Sequence, residues 1–183
     1  MMLIWVHAIK IIIGYYPPPE RAATSHIEIH SARMNRLFFH SAEKLFSIAF
    51  PFKVTNEDGT YLVKTSTGIE IDSRISSDMI AMLEALRGRG FNSEWDFVQY
   101  FDEDISDLVW PLLTELLDAE DGYMRFDHDP IRVDGHKHPL NHADLFYTNG
   151  ATFKLGLTKR LNLAEIIDIL DRDTDCHFLQ PVL

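Results

Sequence analysis

The sequence predicts an α+β fold, a single domain in which an antiparallel sheet has helices packed on one side. Two short turns, Asp58-Gly59 and Asn149-Gly150, each separate a pair of apolar runs, which is the pattern of a β-hairpin. Between them, the apolar residues of 105–117 recur at the spacing of one helical face. Hydrophobic residues form 46% of the 183 residues, so the chain can bury a normal core.

Residues 1–33 are predicted to be an N-terminal appendage, and residues 34–183 the domain itself. The apolar stretch Met1–Ile13 contains Lys10 and is too short to span a bilayer. The Pro-rich segment 14–20 that follows lacks the small-residue cleavage site of a signal peptide. Because Met34 opens a segment with the composition of a normal domain start, we interpret the appendage as an overlong start-site assignment. The alternative is an N-terminal strand or a membrane-associating tail.

The first half of the domain is predicted to place helices around one hairpin. A helix is expected over 32–46, because Pro51 bars a longer one. Strands at 52–55 and 61–65 form the hairpin, and 69–71 adds a third strand. Three more helices are expected, at 76–87 with a Ser76 or Ser77 cap, at 94–101 with a Ser93 cap, and from Leu108 to 117.

The last third is predicted to be mainly β-structure. A strand over 123–128 precedes the Asn149-Gly150 hairpin, in which Thr148 would oppose Ala151 and Phe146 would oppose Phe153. That register puts Phe146, Phe153 and Leu155 on a core face, and Tyr147, Thr152 and Lys154 on the other. Asn162 and Glu165 have capping-box spacing, so a helix is expected to run to about Leu170. A short strand at 176–179 would end the chain.

Charge and cysteine content limit the function classes. The chain has 17 basic and 28 acidic residues, a net charge of −11, which disfavours general nucleic-acid binding although a nuclease substrate remains compatible. Residues 94–129 hold twelve acidic residues against one basic residue, Arg125. That run indicates a solvated face or a docking surface for a basic protein partner. Cys176 is the only cysteine, which favours a reducing cytoplasm and excludes an internal disulfide.

Histidines are concentrated in one segment near the second hairpin. Of nine histidines, four lie between 128 and 142, and an aspartate, Asp144, follows them. In an extended segment His136 and His138 point the same way, and imidazole with carboxylate suits zinc, manganese or iron. We therefore predict a metal site with His136, His138, His142 and Asp144 as ligands. The order departs from the metallo-hydrolase pattern His-x-His-x-Asp-His, because Leu140 and Asn141 stand where its Asp and last His would be.

Two other interpretations of this segment stay open. In the first, a histidine acts as acid–base group in metal-free phosphodiester cleavage while Lys154 or Arg125 stabilises the phosphate, as in a ribonuclease-type toxin; a variant treats Asp127 or Asp144 with Thr152-Phe-Lys154 as a reduced nuclease core. In the second, the segment is purely structural, with a turn at Asp134-Gly135 and a bend fixed by Pro139.

Three segments carry a resemblance to a known family: 123–130, 135–144 and 152–156. They read Tyr-Met-Arg-Phe-Asp-His-Asp-Pro, Gly-His-Lys-His-Pro-Leu-Asn-His-Ala-Asp and Thr-Phe-Lys-Leu-Gly. The chain resembles a bacterial family of unknown function, found in variable genomic regions where restriction, phage-defence and toxin–antitoxin genes gather. The resemblance implies a cytoplasmic bacterial protein and transfers no catalytic residue.

The function expected from the sequence is that of a metal-dependent phosphodiesterase or nuclease-like component of a defence or toxin system. Catalysis would depend on Asp127 as acid–base group, on His138, and on Lys154 as phosphate stabiliser. The rival expectation is a non-enzymatic, antitoxin-like module that binds a basic protein partner through its acidic 94–129 surface. Nucleic acid enters only as a substrate, no membrane is involved, and the sequence leaves open whether the protein is an enzyme.

Overall fold

The structure, a computed structural model, describes residues 1–14, 26–31, 34–88, 107–120, 122–148 and 151–177. Its helices and strands are, in chain order, α1 (Met2–Gly14), β1 (His26–His30), β2 (Arg36–His40), β3 (Lys44–Ala49), β4 (Lys53–Glu57), β5 (Thr60–Lys64), α2 (Ser73–Gly88), α3 (Val109–Asp118), β6 (Tyr123–His128), β7 (Asn141–Thr148), β8 (Ala151–Gly156) and α4 (Leu163–Leu170). The predicted α+β class with an antiparallel sheet is confirmed.

The chain divides into two compact units. One consists of residues 1–18 and 51–119, and the other of residues 19–50 and 120–183. The first unit therefore interrupts the sequence of the second between β3 and β6. The predicted domain boundary between residues 33 and 34 stays a prediction. Of the predicted appendage, residues 1–18 belong to the first unit and residues 19–33 to the second.

The first unit contains α1, the β4–β5 hairpin, α2 and α3. Its core is formed by large buried side chains from all three helices: Trp5, Ile9, Met79, Met82, Leu112 and Leu116. The hairpin is confirmed where it was predicted, with Asp58 and Gly59 at positive φ and Asn56 Oδ1 accepting from the Gly59 amide.

Three details of this unit differ from the sequence prediction. α2 begins three residues before Ser76, because the Asp72 carboxylate accepts the Ile75 amide and so caps the helix in place of a serine. The third strand predicted at 69–71 is reduced to a single bridge between Lys64 and Glu70. α3 starts one residue after the predicted Leu108, whereas the helix predicted at 94–101 lies outside the described residues.

The second unit is built on a six-stranded antiparallel sheet with strand order β1-β2-β3-β6-β7-β8. The helix predicted over 32–46 is wrong, since this segment forms the hairpin of β2 and β3. Its turn is closed by a hydrogen bond from the Ser41 amide to the Lys44 carbonyl. Leu37 and Phe38 are neighbours and both buried, so β2 is covered on both faces and lacks the alternation typical of a strand.

One face of this sheet packs against α4. The buried cluster there contains Phe38, Leu45, Phe126, Ala143 and Ile166, and Ile166 comes from the helix. α4 has the predicted bounds, and its capping box is complete: Asn162 Oδ1 accepts from the Glu165 amide, and Glu165 Oε2 accepts from the Asn162 amide. The hydrogen bond from Lys159 and that from the Asn162 amide lower the pKa of Glu165. A helix therefore covers this face of the sheet, as predicted.

The predicted register of the second hairpin is wrong beyond its first pair. Thr148 pairs with Ala151, but an irregularity between Phe146 and Thr148 then shifts the pairing by one residue. Leu145 opposes Phe153 and Asp144 opposes Lys154, so Phe146 lies on the face opposite to that of Phe153 and Leu155. Phe153, expected in the core, is 53% exposed. Residues Asn149 and Gly150, and the side chains of Tyr147 and Thr152, lie outside the described part.

Two further observations complete the fold. Residues 176–177 are not in a strand, and the rest of the strand predicted at 176–179 lies outside the described residues. None of the helices in the described ranges combines the length and the apolar character that crossing a bilayer requires.

Candidate metal centre

Three potential metal ligands meet on β6 and β7. The strands are antiparallel, with Asp127 opposite His142 and Arg125 opposite Asp144, so side chains at these four positions share one face of the sheet. His142 Nε2 lies 3.6 Å from Asp127 Oδ2 and 4.0 Å from Asp144 Oδ1. One ligand atom from each of Asp127, His142 and Asp144 lies within 4.8 Å of the others. Two donors that bind one ion at about 2.1 Å can be no more than about 4.2 Å apart, so both histidine distances suit a shared cation.

The loop 129–140 fixes the orientation of the His142 ring. His142 Nδ1 is 2.8 Å from the Pro139 carbonyl oxygen, which can only accept, so Nδ1 carries the hydrogen. The Pro139 ring in turn packs on Gly156, where an added Cβ would lie 3.3 Å from Pro139 Cγ. The His138 ring lies against His142 with centroids 4.5 Å apart. The loop therefore leaves Nε2 as the atom of His142 that faces the carboxylates.

The atoms that face each other in this group have unsatisfied hydrogen-bonding capacity. His142 is fully buried, and Asp127 is 4% exposed. Within the described residues, His142 Nε2 and both carboxylate oxygens of Asp127 make no hydrogen bond. His142 Nε2 and Asp127 Oδ2 therefore face each other without a hydrogen bond between them, an arrangement that favours a cation or a proton at this point.

Two cationic side chains border the group. Arg125 Nε is 3.0 Å from Asp127 Oδ1, and its guanidinium also donates to Asp144 Oδ2. Lys154 Nζ donates to Asp144 Oδ1 at 2.5 Å. Burial raises the pKa of Asp144, but the Lys154 hydrogen bond and the charges of Arg125, Lys154 and His142 outweigh it and lower that pKa below its usual value. Asp144 is therefore ionised at neutral pH.

Asp129 organises the start of the loop. Its Oδ1 accepts from the amides of Ile131 and Arg132, and its Oδ2 accepts from the Arg132 side chain. His138 Nε2 lies 3.3 Å from the same Oδ2. Burial raises the pKa of Asp129, but the hydrogen bonds and the charge of Arg132 lower it by more, so the pKa lies below its usual value. Asp129 thus remains an anion that holds both ends of the loop.

A cleft of about 280 Å³ opens beside the group. Arg125, Asp144 and Lys154 line it together with the rings of Tyr123 and Phe146, which stack with centroids 4.9 Å apart. The side chain of Asp144 is 14% exposed and that of Lys154 41% exposed. A polar ligand can therefore approach the group from the Asp144 and Lys154 side.

The structure brings together only part of the ligand set predicted from the sequence. His142 and Asp144 belong to the group, and Asp127, predicted as the acid–base residue, joins them. His136 is exposed in the 135–137 turn. His138 Nε2 points to Asp129. Neither His136 nor His138 is in the metal-ligand group found among the described residues. Lys154, the predicted phosphate stabiliser, lies beside Asp144.

The position of Asp127 in the candidate group could have been inferred in part from strand alternation. Residues two apart in a strand share a face, which applies to Arg125 with Asp127 and to His142 with Asp144. What alternation could not supply is the pairing of the two strands, which places Asp127 opposite His142.

A search of protein-family models, of curated proteins and of solved structures finds no match to this chain. The resemblance to a bacterial family of unknown function stays an expectation. So does the acidic partner surface of 94–129, of which residues 94–106 and 121 lie outside the described ranges.

Proposed function

We propose that this chain is a divalent-metal-dependent hydrolase of phosphodiesters whose ion, zinc, manganese or iron, is held by Asp127, His142 and Asp144. The orientation of His142 carries the proposal. Its Nδ1 donates to the Pro139 carbonyl, and its Nε2 faces two carboxylates. Metal-binding histidines in proteins are positioned in this way, because a backbone carbonyl behind the ring fixes the tautomer and makes the other nitrogen a better ligand.

The local charge favours an anionic substrate. Asp127 and Asp144 contribute two negative charges, which Arg125 and Lys154 balance. A divalent ion added to this neutral set would leave an excess of two positive charges in a largely buried site. Phosphodiesters are anions of the kind that such an excess attracts and stabilises during cleavage.

The roles of the side chains follow from their exposure. Three protein ligands leave coordination positions for water and for substrate, and a bound ion would supply Lewis acidity and a water of lowered pKa. Lys154 is the more exposed cation and would contact the phosphate. Arg125 bridges both carboxylates and would hold them in place. In this proposal Asp127 is a ligand, not the acid–base group expected from the sequence.

Nucleic acid is the substrate class that we favour, and a place in a bacterial defence or toxin system would agree with it. Both rest on the resemblance of 123–130, 135–144 and 152–156, whereas the metal-dependent chemistry rests on the geometry of the centre.

The test is elemental analysis of untagged protein, followed by calorimetric titration with Mn²⁺ and Zn²⁺. We expect one equivalent of metal in the wild type and loss of binding in His142→Ala. His136→Ala is the matched control, since it removes an exposed imidazole from the same segment and should keep the metal. Hydrolysis of bis(p-nitrophenyl) phosphate, RNA and DNA should depend on metal and be lost with His142.

Two results would contradict the proposal. Loss of metal in His136→Ala and His138→Ala, with retention in His142→Ala, would return the centre to the loop predicted from the sequence. Absence of metal binding in the wild type would show that the charged side chains pair only with one another and hold no metal ion. These side chains are Arg125, Asp127, Asp144 and Lys154.

A further inference from the structure

The cleft beside the metal-ligand group has an aromatic end. The rings of Tyr123 and Phe146 form it, and they lie within 2° of parallel with their centroids 4.9 Å apart. Both residues are half-buried. Aromatic side chains bind nucleobases by stacking, because every base has a π-face. Metal-dependent hydrolysis by itself gives this end of the cleft no role.

The aromatic end and the charged end of the cleft lie on one face of the sheet. Tyr123 opposes Phe146 in the pairing of β6 with β7. Two residues further along β6, Arg125 opposes Asp144. Side chains two residues apart in a strand point to the same side, and Lys154 joins them because it opposes Asp144 from β8. The ring pair therefore lies next to the Asp144 end of the metal-ligand group on the same surface.

The spacing along the strands suits a phosphate and the base attached to it. A strand rises about 3.4 Å per residue, so Tyr123 lies about 6.8 Å along β6 from Arg125. In a nucleotide one sugar separates the phosphate from the base, which is a span of similar size. A nucleotide with its phosphate at Lys154 would therefore place its base at the rings. The cleft volume of about 280 Å³ is at the small end for ligand sites and suits a single base.

The ring pair is held in place by neighbours on the same face. The Phe46 ring lies 6.1 Å from the Tyr123 ring between centroids, so Tyr123 has one aromatic neighbour from β3 and another, Phe146, from β7. The Arg125 guanidinium lies 5.7 Å from the centroid of the Phe46 ring. Because these contacts already restrict the rings, ordering them on binding would cost little conformational entropy.

We propose that Tyr123 and Phe146 form a stacking subsite for one base of a single-stranded nucleic acid, next to the phosphodiester that is cleaved. The inference rests on the proposed function for the cleavage and on the geometry of the cleft for the base. In a duplex the bases stack on one another, so the rings can reach only an unpaired base. Any of the bases would be accepted, since stacking tolerates differences in sequence.

The test is calorimetric titration of the full chain with two short single strands, an oligothymidylate and an abasic strand of the same length and charge. Both carry phosphorothioate links, which keep the negative charge and resist hydrolysis, and both are titrated with Mn²⁺ and again in EDTA. We expect the oligothymidylate to bind at least about tenfold more tightly than the abasic strand, within the range for one stacked base. Oligouridylate shows whether RNA is preferred to DNA. The oligothymidylate should bind more weakly when it is paired in a duplex.

Ring variants separate stacking from charge. Phe146→Leu keeps an apolar side chain without the ring, so it should lose the preference for oligothymidylate yet keep its Mn²⁺ affinity, because Phe146 is outside the metal-ligand group. Tyr123→Leu should have the same effect, whereas Phe146→Tyr keeps a ring and should keep the preference. Tyr61→Leu is the matched control, since Tyr61 is an exposed tyrosine of β5 that does not line the cleft. Circular dichroism and thermal melting establish that each variant is folded.

Equal affinity of the wild type for the two strands, tighter binding of the duplex, or a preference that survives both leucine variants would overturn the inference. The ring pair would then serve only to pack the sheet. Metal binding and cleavage without a base preference would leave the hydrolase and remove the subsite. A base preference in EDTA, in a protein that binds no metal, would keep the subsite and remove the proposed hydrolase.

Discussion

Asp127 Oδ2 and His142 Nε2 lie 3.6 Å apart on opposing strands, and neither atom makes a hydrogen bond within the described residues. Because Nδ1 carries the hydrogen that is donated to Pro139, a neutral ring presents its lone pair to the carboxylate. Two buried acceptors in contact are unfavourable, so a cation bound between them would stabilise the folded protein. The first three predictions test consequences of that relationship.

Asp127→Asn should lower the affinity for Mn²⁺ by more than about tenfold, the lower end of what even supporting residues contribute to metal sites. The amide keeps the shape of the side chain but lacks the negative charge of the ligand. Titration calorimetry measures the change. Asp175→Asn, which alters an exposed aspartate near the C-terminus, is the matched control and should leave the affinity unchanged. Equal affinities for Asp127→Asn and the wild type would remove Asp127 from the ligand set.

Gly156→Ala should weaken metal binding although Gly156 is not a ligand. The new Cβ would lie 3.3 Å from Pro139 Cγ, so Pro139 must move, and its carbonyl holds His142. We expect a loss of stability of about 1 kcal/mol, typical of mild overpacking, together with lower Mn²⁺ affinity. Gly88→Ala is the control, because a Cβ there meets no atom within 4 Å. A stable Gly156→Ala variant with full affinity would show that the Pro139 contact does not position His142.

Arg125→Met should destabilise the protein, and metal should restore part of the loss. The substitution leaves Asp127 and Asp144 without the guanidinium that bridges them, which costs about 2 kcal/mol or more for a pair that is largely shielded from water. Mn²⁺ can then neutralise the two carboxylates. Urea denaturation with and without Mn²⁺ measures both effects.

Arg74→Met is the control for this prediction, since Arg74 is 74% exposed and its pair with Asp78 should contribute less than about 1 kcal/mol. If Mn²⁺ stabilised Arg125→Met no more than it stabilises the wild type, the result would argue against a cation at the carboxylates.

Glu165→Gln should reduce stability in a pH-dependent way. The hydrogen bonds from Lys159 and from the Asn162 amide lower the pKa of Glu165 below 4.5 in the folded protein, so the folded state favours the carboxylate form. The stabilisation is complete well above pH 4.5 and is lost as the pH falls through the lowered pKa. Denaturation of both proteins between about pH 3 and pH 7 should therefore show a difference that shrinks below 4.5. A constant difference would show that the charge of Glu165 plays no part in the cap.

Local sequence patterns predicted the elements whose cause is local. The capping box of Asn162 and Glu165 set the start of α4, and the apolar spacing of 105–117 identified α3, because both patterns act within one or two helical turns. β6 was predicted with its observed bounds from alternating residues.

Features that depend on distant strands were missed. β2 and β3 were mistaken for a helix because both faces of β2 are covered, which removes the alternating pattern. The bulge near Phe146 has no sequence signature that we recognised, and it decides that Lys154 opposes Asp144. For the same reason the histidine cluster predicted a site near this position with other members: the pairing of β6 with β7 brings Asp127, and not His136, to His142 and Asp144.

The insertion of residues 51–119 between β3 and β6 has a consequence for the order of folding. The three candidate ligands and the two cations beside them all come from β6, β7 and β8, which pair with their neighbours in the chain. Such pairings close short loops and form quickly, whereas β3 and β6 must meet across the whole inserted segment. We expect the C-terminal meander to assemble the centre early and the joining of β3 to β6 to be the slower event.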